Sequence, residues 1–126
     1  MIITSILSSE EKKMLDTLVS QIMEGELQQT QELIKNCNNK YQLAKTHSTL
    51  LKDWEKTKAK MENNLSIGKL PPGTSANFYK SLIDETQKMM DAKFETIREA
   101  FSLKFGESIY NYLGKDGKIK KFFGIF

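Results

Sequence analysis

The sequence predicts an all-α fold, a bundle of three or four long helices. Three observations carry this reading. Only two prolines and seven glycines punctuate 126 residues, too few turn formers for a many-stranded sheet. The apolar/polar alternation of a strand persists nowhere over a useful length. Finally, Ile83, Met90, Phe94, Phe101, Phe105 and Tyr112 fall within one narrow stripe when the chain advances 100° per residue. A hydrophobic share of 39% beside 28% charged residues belongs to a globular chain, and this length supports one domain.

The first helix is expected over residues 8–24. Ser8 and Glu11 have the spacing of a capping box, in which each side chain satisfies a free backbone N–H. Met14, Leu15, Leu18, Val19, Ile22 and Met23 follow at helical spacing, and Gly25 has the character of a stop. Within a longer helix the same glycine would cost about 1 kcal/mol. Residues 26–64 are helical by composition, and two outcomes stay open at Asn36-Cys37-Asn38-Asn39: a kink or break, because asparagine side chains compete for the backbone, or one helix of about 38 residues. Gly68-Lys69-Leu70-Pro71-Pro72-Gly73 is a central loop. Thr74 or Ser75 then caps a helix expected to run over 75–113, with Gly106 bending it near its end. The domain is thus assigned to 1–113, and 114–126 to a short basic, apolar tail.

Charge is balanced in the body and not in the tail. Residues 1–63 carry nine basic and nine acidic side chains and 64–113 six of each, so the net +3 arises wholly in 114–126. A protein that binds nucleic acid needs a basic face able to meet many phosphates, and Arg98 is the only arginine. No nucleic-acid partner is therefore expected. The apolar start Met1–Leu7 lacks the charged region and cleavage site of a signal peptide, and cytoplasmic residence is the expectation.

The chemistry-bearing residues are few. Cys37 and His47 are single copies, and on one helix they would stand ~15 Å apart, too far for a nucleophile–base dyad. Asp91, Glu95 and Glu99 form a row at i, i+4, i+8 without the Glu-x-x-His of a di-metal bundle. No phosphate-binding glycine loop and no nucleophile elbow occurs. Neither a cofactor, a metal site nor catalytic residues are expected. Tyr112 and Asp116 have the Tyr-x-x-x-Asp spacing that resembles the C-terminal signal of the small helical-hairpin substrates of type VII secretion, but that family's Trp-x-Gly turn has no counterpart, since Trp54 is followed by Glu55 and Lys56.

What remains is binding. The tail sets Lys118, Lys120 and Lys121 beside Phe122, Phe123, Ile125 and Phe126, a combination suited to an acidic, apolar groove. Together with Trp54 these are the expected partner-binding residues. The expected function is that of a non-catalytic helical interaction module that binds another protein or a second copy of itself through apolar helix faces, the Lys/Phe tail or both. A peripheral module in weak contact with an anionic membrane surface is the alternative.

Overall fold

The computed structural model describes residues 7–120. It contains three helices, α1 (Ser9–Asn36), α2 (Lys40–Ser66) and α3 (Ala76–Phe105), followed by a 3-10 turn over Ile109–Asn111. Among the described residues the only β pairing is an isolated antiparallel bridge between Leu113 and Ile119.

Each helix begins where a side chain can accept from a free amide. Ser8 and Glu11 form the reciprocal capping box of α1. Glu11 also accepts from the Ser75 hydroxyl at 2.6 Å, which ties the start of α1 to the start of α3. These bonds to Ser75 and Ser8 hold the Glu11 carboxyl below its usual pKa. Asn39 caps α2 by accepting from the Gln42 amide at 3.1 Å, and Ser75 caps α3 by accepting from the Phe78 amide at 3.1 Å.

Two helix ends differ from the sequence expectation. Helix α1 continues through Gly25 to Asn36, because Gly25 is exposed and keeps a negative φ, so nothing forces a turn there. The real break falls at 37–39, the asparagine-rich point. An alanine Cβ at Gly25 would meet nothing within 4 Å. Gly25→Ala is therefore expected to stabilise the protein by about 0.5–1 kcal/mol, measured as an increase in the midpoint of urea unfolding. Helix α3 stops at Phe105 and does not reach 113. Gly106 adopts φ +69° and its amide bonds the Ser102 carbonyl, a left-handed cap that ends the helix and does not merely bend it.

Long-range pairs define the arrangement. Lys93 pairs with Glu26 and Lys104 reaches the carbonyls of Ile34 and Cys37, all at similar sequence separation, so α1 and α3 run parallel. Trp54 meets Gln87, His47 meets Arg98 and Lys40 meets Glu107, the pattern of an antiparallel pair. The chain is an up-down-up three-helix bundle in which α1 and α2 both lie along α3.

The main core joins Leu43, Ala44 and Trp54 of α2 to Met90, Phe94, Ile97 and Phe101 of α3, closed by Ile109 and Leu113. A smaller cluster of Leu7, Leu15 and Phe78 fills the other end. Most of the predicted stripe on α3 is buried. Tyr112 rejoins it by another route: it lies beyond the helix, and the turn after Gly106 returns its ring to 6.0 Å from Phe101.

Candidate functional site

The residues expected to bind partners separate into three groups. Trp54 is not on the surface. It is only 7% exposed, packs in the main core, and donates its indole N–H to Gln87 Oε1 at 3.0 Å. Helical spacing alone left its direction open, and packing on α3 turns it inward. Lys118 and Lys120 belong to a hairpin folded onto α2. Lys121, Phe122, Phe123, Ile125 and Phe126 lie outside the described residues.

That hairpin shows how the start of the supposed tail is built into the domain. Gly114 N–H donates to Lys118 O at 2.8 Å, and Lys120 N–H to Tyr112 O at 3.0 Å. The turn between them is closed by Gly117 at φ +79° and by Asp116, which accepts from the Lys118 amide. Three bonds fasten it to α2. His47 Nδ1 meets Gly117 O at 3.1 Å, Ser48 Oγ accepts from the Ile119 amide at 2.9 Å, and Lys118 pairs with Glu55 at 2.9 Å. Leu113 is buried as a result. The boundary assigned at residue 113 therefore does not separate two structural units within the described residues, since 114–120 closes one side of the core.

His47 is the most constrained polar residue of this region, at 1% exposure. A carbonyl can only accept, so Nδ1 must carry its hydrogen toward Gly117 O. A guanidinium can only donate, so Nε2 must accept from Arg98 Nη1, 3.3 Å away. The ring is neutral, and its tautomer is dictated by its partners. Burial pushes the His47 pKa down to about 4, the Gly117 bond opposes that shift, and the Arg98 charge adds to it. The ring also tilts against Phe94 with centroids 5.0 Å apart.

A polar cleft of about 240 Å³ adjoins this residue, lined by His47, Asp91, Arg98, Tyr110, Lys115 and Asp116. Its charges are mixed and largely engaged: Arg98 also pairs with Glu95 at 2.7 Å, and Asp91 accepts from Gln87 at 2.7 Å. With both ring nitrogens committed, His47 has no lone pair for a general base or a metal. Cys37 borders a different cavity with Asn39 and Tyr41, so the structure does not bring the two together. Among the described residues no three acidic, histidine or cysteine side chains converge as metal ligands.

The sequence reading expected apolar helix faces to bind but named no residue of the face at the α1–α3 contact. Where α1 lies along α3, Met23 and Leu27 stand beside Met89, Ala92 and Thr96 and border an apolar groove of about 200 Å³. Met23 is 50% and Leu27 52% exposed, and Leu103 farther along α3 is 89% exposed. The signal was present as the breadth of the apolar arc on α1, which is wider than one neighbouring helix covers. Glu26 and the largely buried Lys93 form an ion pair beside the groove.

Comparison of the chain with protein-family models, with curated proteins and with solved structures returns no match. No helix among the described residues is long and apolar enough to cross a membrane.

Proposed function

We propose that this protein is a non-catalytic helical interaction module that binds another protein through an apolar helix face. The observation that carries the reading is the α1–α3 seam, where Met23 and Leu27 keep half of their surface in water beside the buried Met89 and Thr30 of the same groove. Apolar side chains left uncovered along one groove are the usual mark of a surface that a partner completes. The engagement of both His47 nitrogens, and the separation of Cys37 from it, support the non-catalytic part.

Site-specific photo-cross-linking in cells of the source organism tests this. A benzophenone side chain at position 27 is expected to give a discrete protein adduct that Met23→Ser abolishes, while the same group at the exposed position 56 of α2 gives none. Identical adduct patterns at 27 and 56 sink the reading. The tail offers the competing membrane reading, although Lys118 is held by Glu55 and the Lys120 amide by Tyr112. Salt-sensitive flotation of the full chain with anionic vesicles, lost on Phe122→Ser/Phe123→Ser substitution, would move the docking role to residues 121–126.

A further inference from the structure

We infer that residues 114–120 form an acid-released latch: protonation of His47 frees this hairpin from α2 while the three helices stay packed. The inference is independent of what covers the α1–α3 seam.

The hairpin has little apolar attachment. Ile119 is the only apolar side chain of 114–120 besides its glycines, and it is only partly buried. The helices, by contrast, join through Leu43, Trp54, Met90, Phe94, Ile97 and Phe101, all buried. What holds the hairpin to α2 is therefore chiefly polar: His47 on Gly117 O, Ser48 on the Ile119 amide and Lys118 on Glu55. The Lys118 and Glu55 side chains keep 33% and 51% of their surface in water, and an ion pair so exposed contributes little. A unit fixed by so few buried contacts opens more readily than the core.

The buried bond is the one that titrates. The neutral ring donates from Nδ1 to Gly117 O and accepts at Nε2 from Arg98, so a proton can be added only at Nε2. The bond from Arg98 is then lost, and two donors of like charge face each other. The surroundings do not compensate. Asp91 and Arg98 border the cleft of the ring from α3, and Lys115 and Asp116 from the hairpin, while α2 adds only Leu51. Asp91 accepts from Gln87, Asp116 from the Lys118 amide, and Glu95 from Arg98. Among the described residues no carboxylate stands within ion-pair distance of His47. Phe94 and Arg98 are fixed on α3, so the cover that can move without parting two helices is the turn at Gly117. Lifting it opens the cleft of about 240 Å³ over the ring, and the imidazolium then donates both hydrogens to water. The same movement uncovers Leu51, against which Gly117 packs, and the edge of Leu113 that pairs with Ile119.

The test is amide hydrogen exchange of the full chain by NMR at pH 7, 6 and 5, with rates corrected for the intrinsic effect of pH. The latched ring has a pKa of about 4 against 6.5 for an exposed one, chiefly through burial, so the open form takes up a proton that the latched form refuses. The opening constant is expected to rise about threefold from pH 7 to 6 and about sevenfold from pH 6 to 5, roughly 20-fold in all. The Gly114, Ile119 and Lys120 amides, which bond Lys118 O, Ser48 Oγ and Tyr112 O, are expected to lose that much protection. At every pH they exchange faster than the amides of Phe94 and Ile97, and urea well below the unfolding transition accelerates the core amides but not these three. Helical circular dichroism and the emission of buried Trp54 keep their pH 7 values at pH 5. His47→Gln is expected to hold hairpin protection constant over the interval. Ser48→Ala removes a fastener that does not titrate, and is expected to lower the protection of Gly114 and Lys120 at every pH while keeping the 20-fold ratio. A wild-type loss under threefold from pH 7 to 5 overturns the inference. So does an undiminished loss in His47→Gln, or a hairpin that shares both the protection and the urea dependence of the core. Should His47→Gln fail to fold, the wild-type and Ser48→Ala series decide by the same limits.

Discussion

Gly117→Ala is expected to destabilise the protein by about 2–3 kcal/mol, a large fraction of the 5–15 kcal/mol typical of a domain. Two costs add. Gly117 sits at φ +79°, a left-handed conformation that costs a residue bearing a Cβ about 1–2 kcal/mol. The new Cβ would also stand 2.8 Å from Leu51 Cδ2 and 3.5 Å from His47 Cε1, so a partly buried leucine must move. That movement disturbs the hydrogen bond from His47 to Gly117 O, because turn and ring are in contact. Chemical denaturation reads the stability change. Amide hydrogen exchange reads the location: protection of the Ile119 N–H, which bonds Ser48 Oγ, is expected to fall before that of Ile97 in the core. Wild-type stability together with unchanged Ile119 protection would show that the hairpin is not fastened to α2 as described.

The second large effect is acid sensitivity centred on His47. The folded-state pKa, about 4, lies below the 6.5 of the free side chain, because burial and Arg98 disfavour the imidazolium. The unfolded chain therefore binds a proton that the folded chain refuses. Stability is fully present above pH 6.5 and is lost as the pH falls toward 4. Between pH 7 and pH 5 the loss is about 2 kcal/mol at 1.36 kcal/mol per pKa unit, and it approaches roughly 3 kcal/mol near pH 4. Carboxylates with lowered pKa, among them Glu11 and Glu107, contribute in the opposite sense of charge. Their stabilisation is present above the ordinary carboxylate value of 4.5 and is lost as the pH falls below it. The interval between pH 7 and 5 thus isolates the single histidine. His47→Gln keeps an N–H donor for Gly117 O but does not titrate, and it is expected to flatten the stability profile over that interval while lowering its plateau. A wild-type profile already flat from pH 7 to 5 would mean that His47 is solvated in solution.

The helices were legible because their determinants are local. Ser8 and Glu11, Asn39, and Ser75 each act on amides within three residues of themselves. The stripe on α3 was readable for the same reason, since Ile83, Met90, Phe94 and Phe101 need only a regular helix and one neighbour to be buried. The misread boundaries were also local, and they were decided by backbone dihedral angles that residue type alone does not settle. Two glycines of one identity behave differently: Gly25 stays inside α1, whereas Gly106 takes φ +69° and ends α3.

The candidate site was much less legible. Trp54 and Lys118 were chosen as docking residues for their chemistry, and both are occupied by residues far away in sequence, Gln87 and Glu55. His47 stood out in the sequence only as a single copy, because Gly117 and Arg98, which close around it, lie far away along the chain. The breadth of the apolar arc on α1 hinted at the seam but did not place it, because exposure of Met23 and Leu27 depends on which part of that arc a neighbour covers.

An all-helical chain, the capped starts of α1 and α3 and a core stripe of phenylalanine, methionine and isoleucine on α3 could be read from residue pattern alone. Capping and helix period act within a turn or two, so a one-dimensional pattern contains them. Long-range packing settled that 113–120 turns back onto α2, that His47 is held neutral, and that Met23 and Leu27 border an apolar groove among the described residues. Those outcomes hang on pairs some 60–70 residues apart, such as Ser48 with Ile119 and Glu26 with Lys93, whose geometry exists only once the helices have packed.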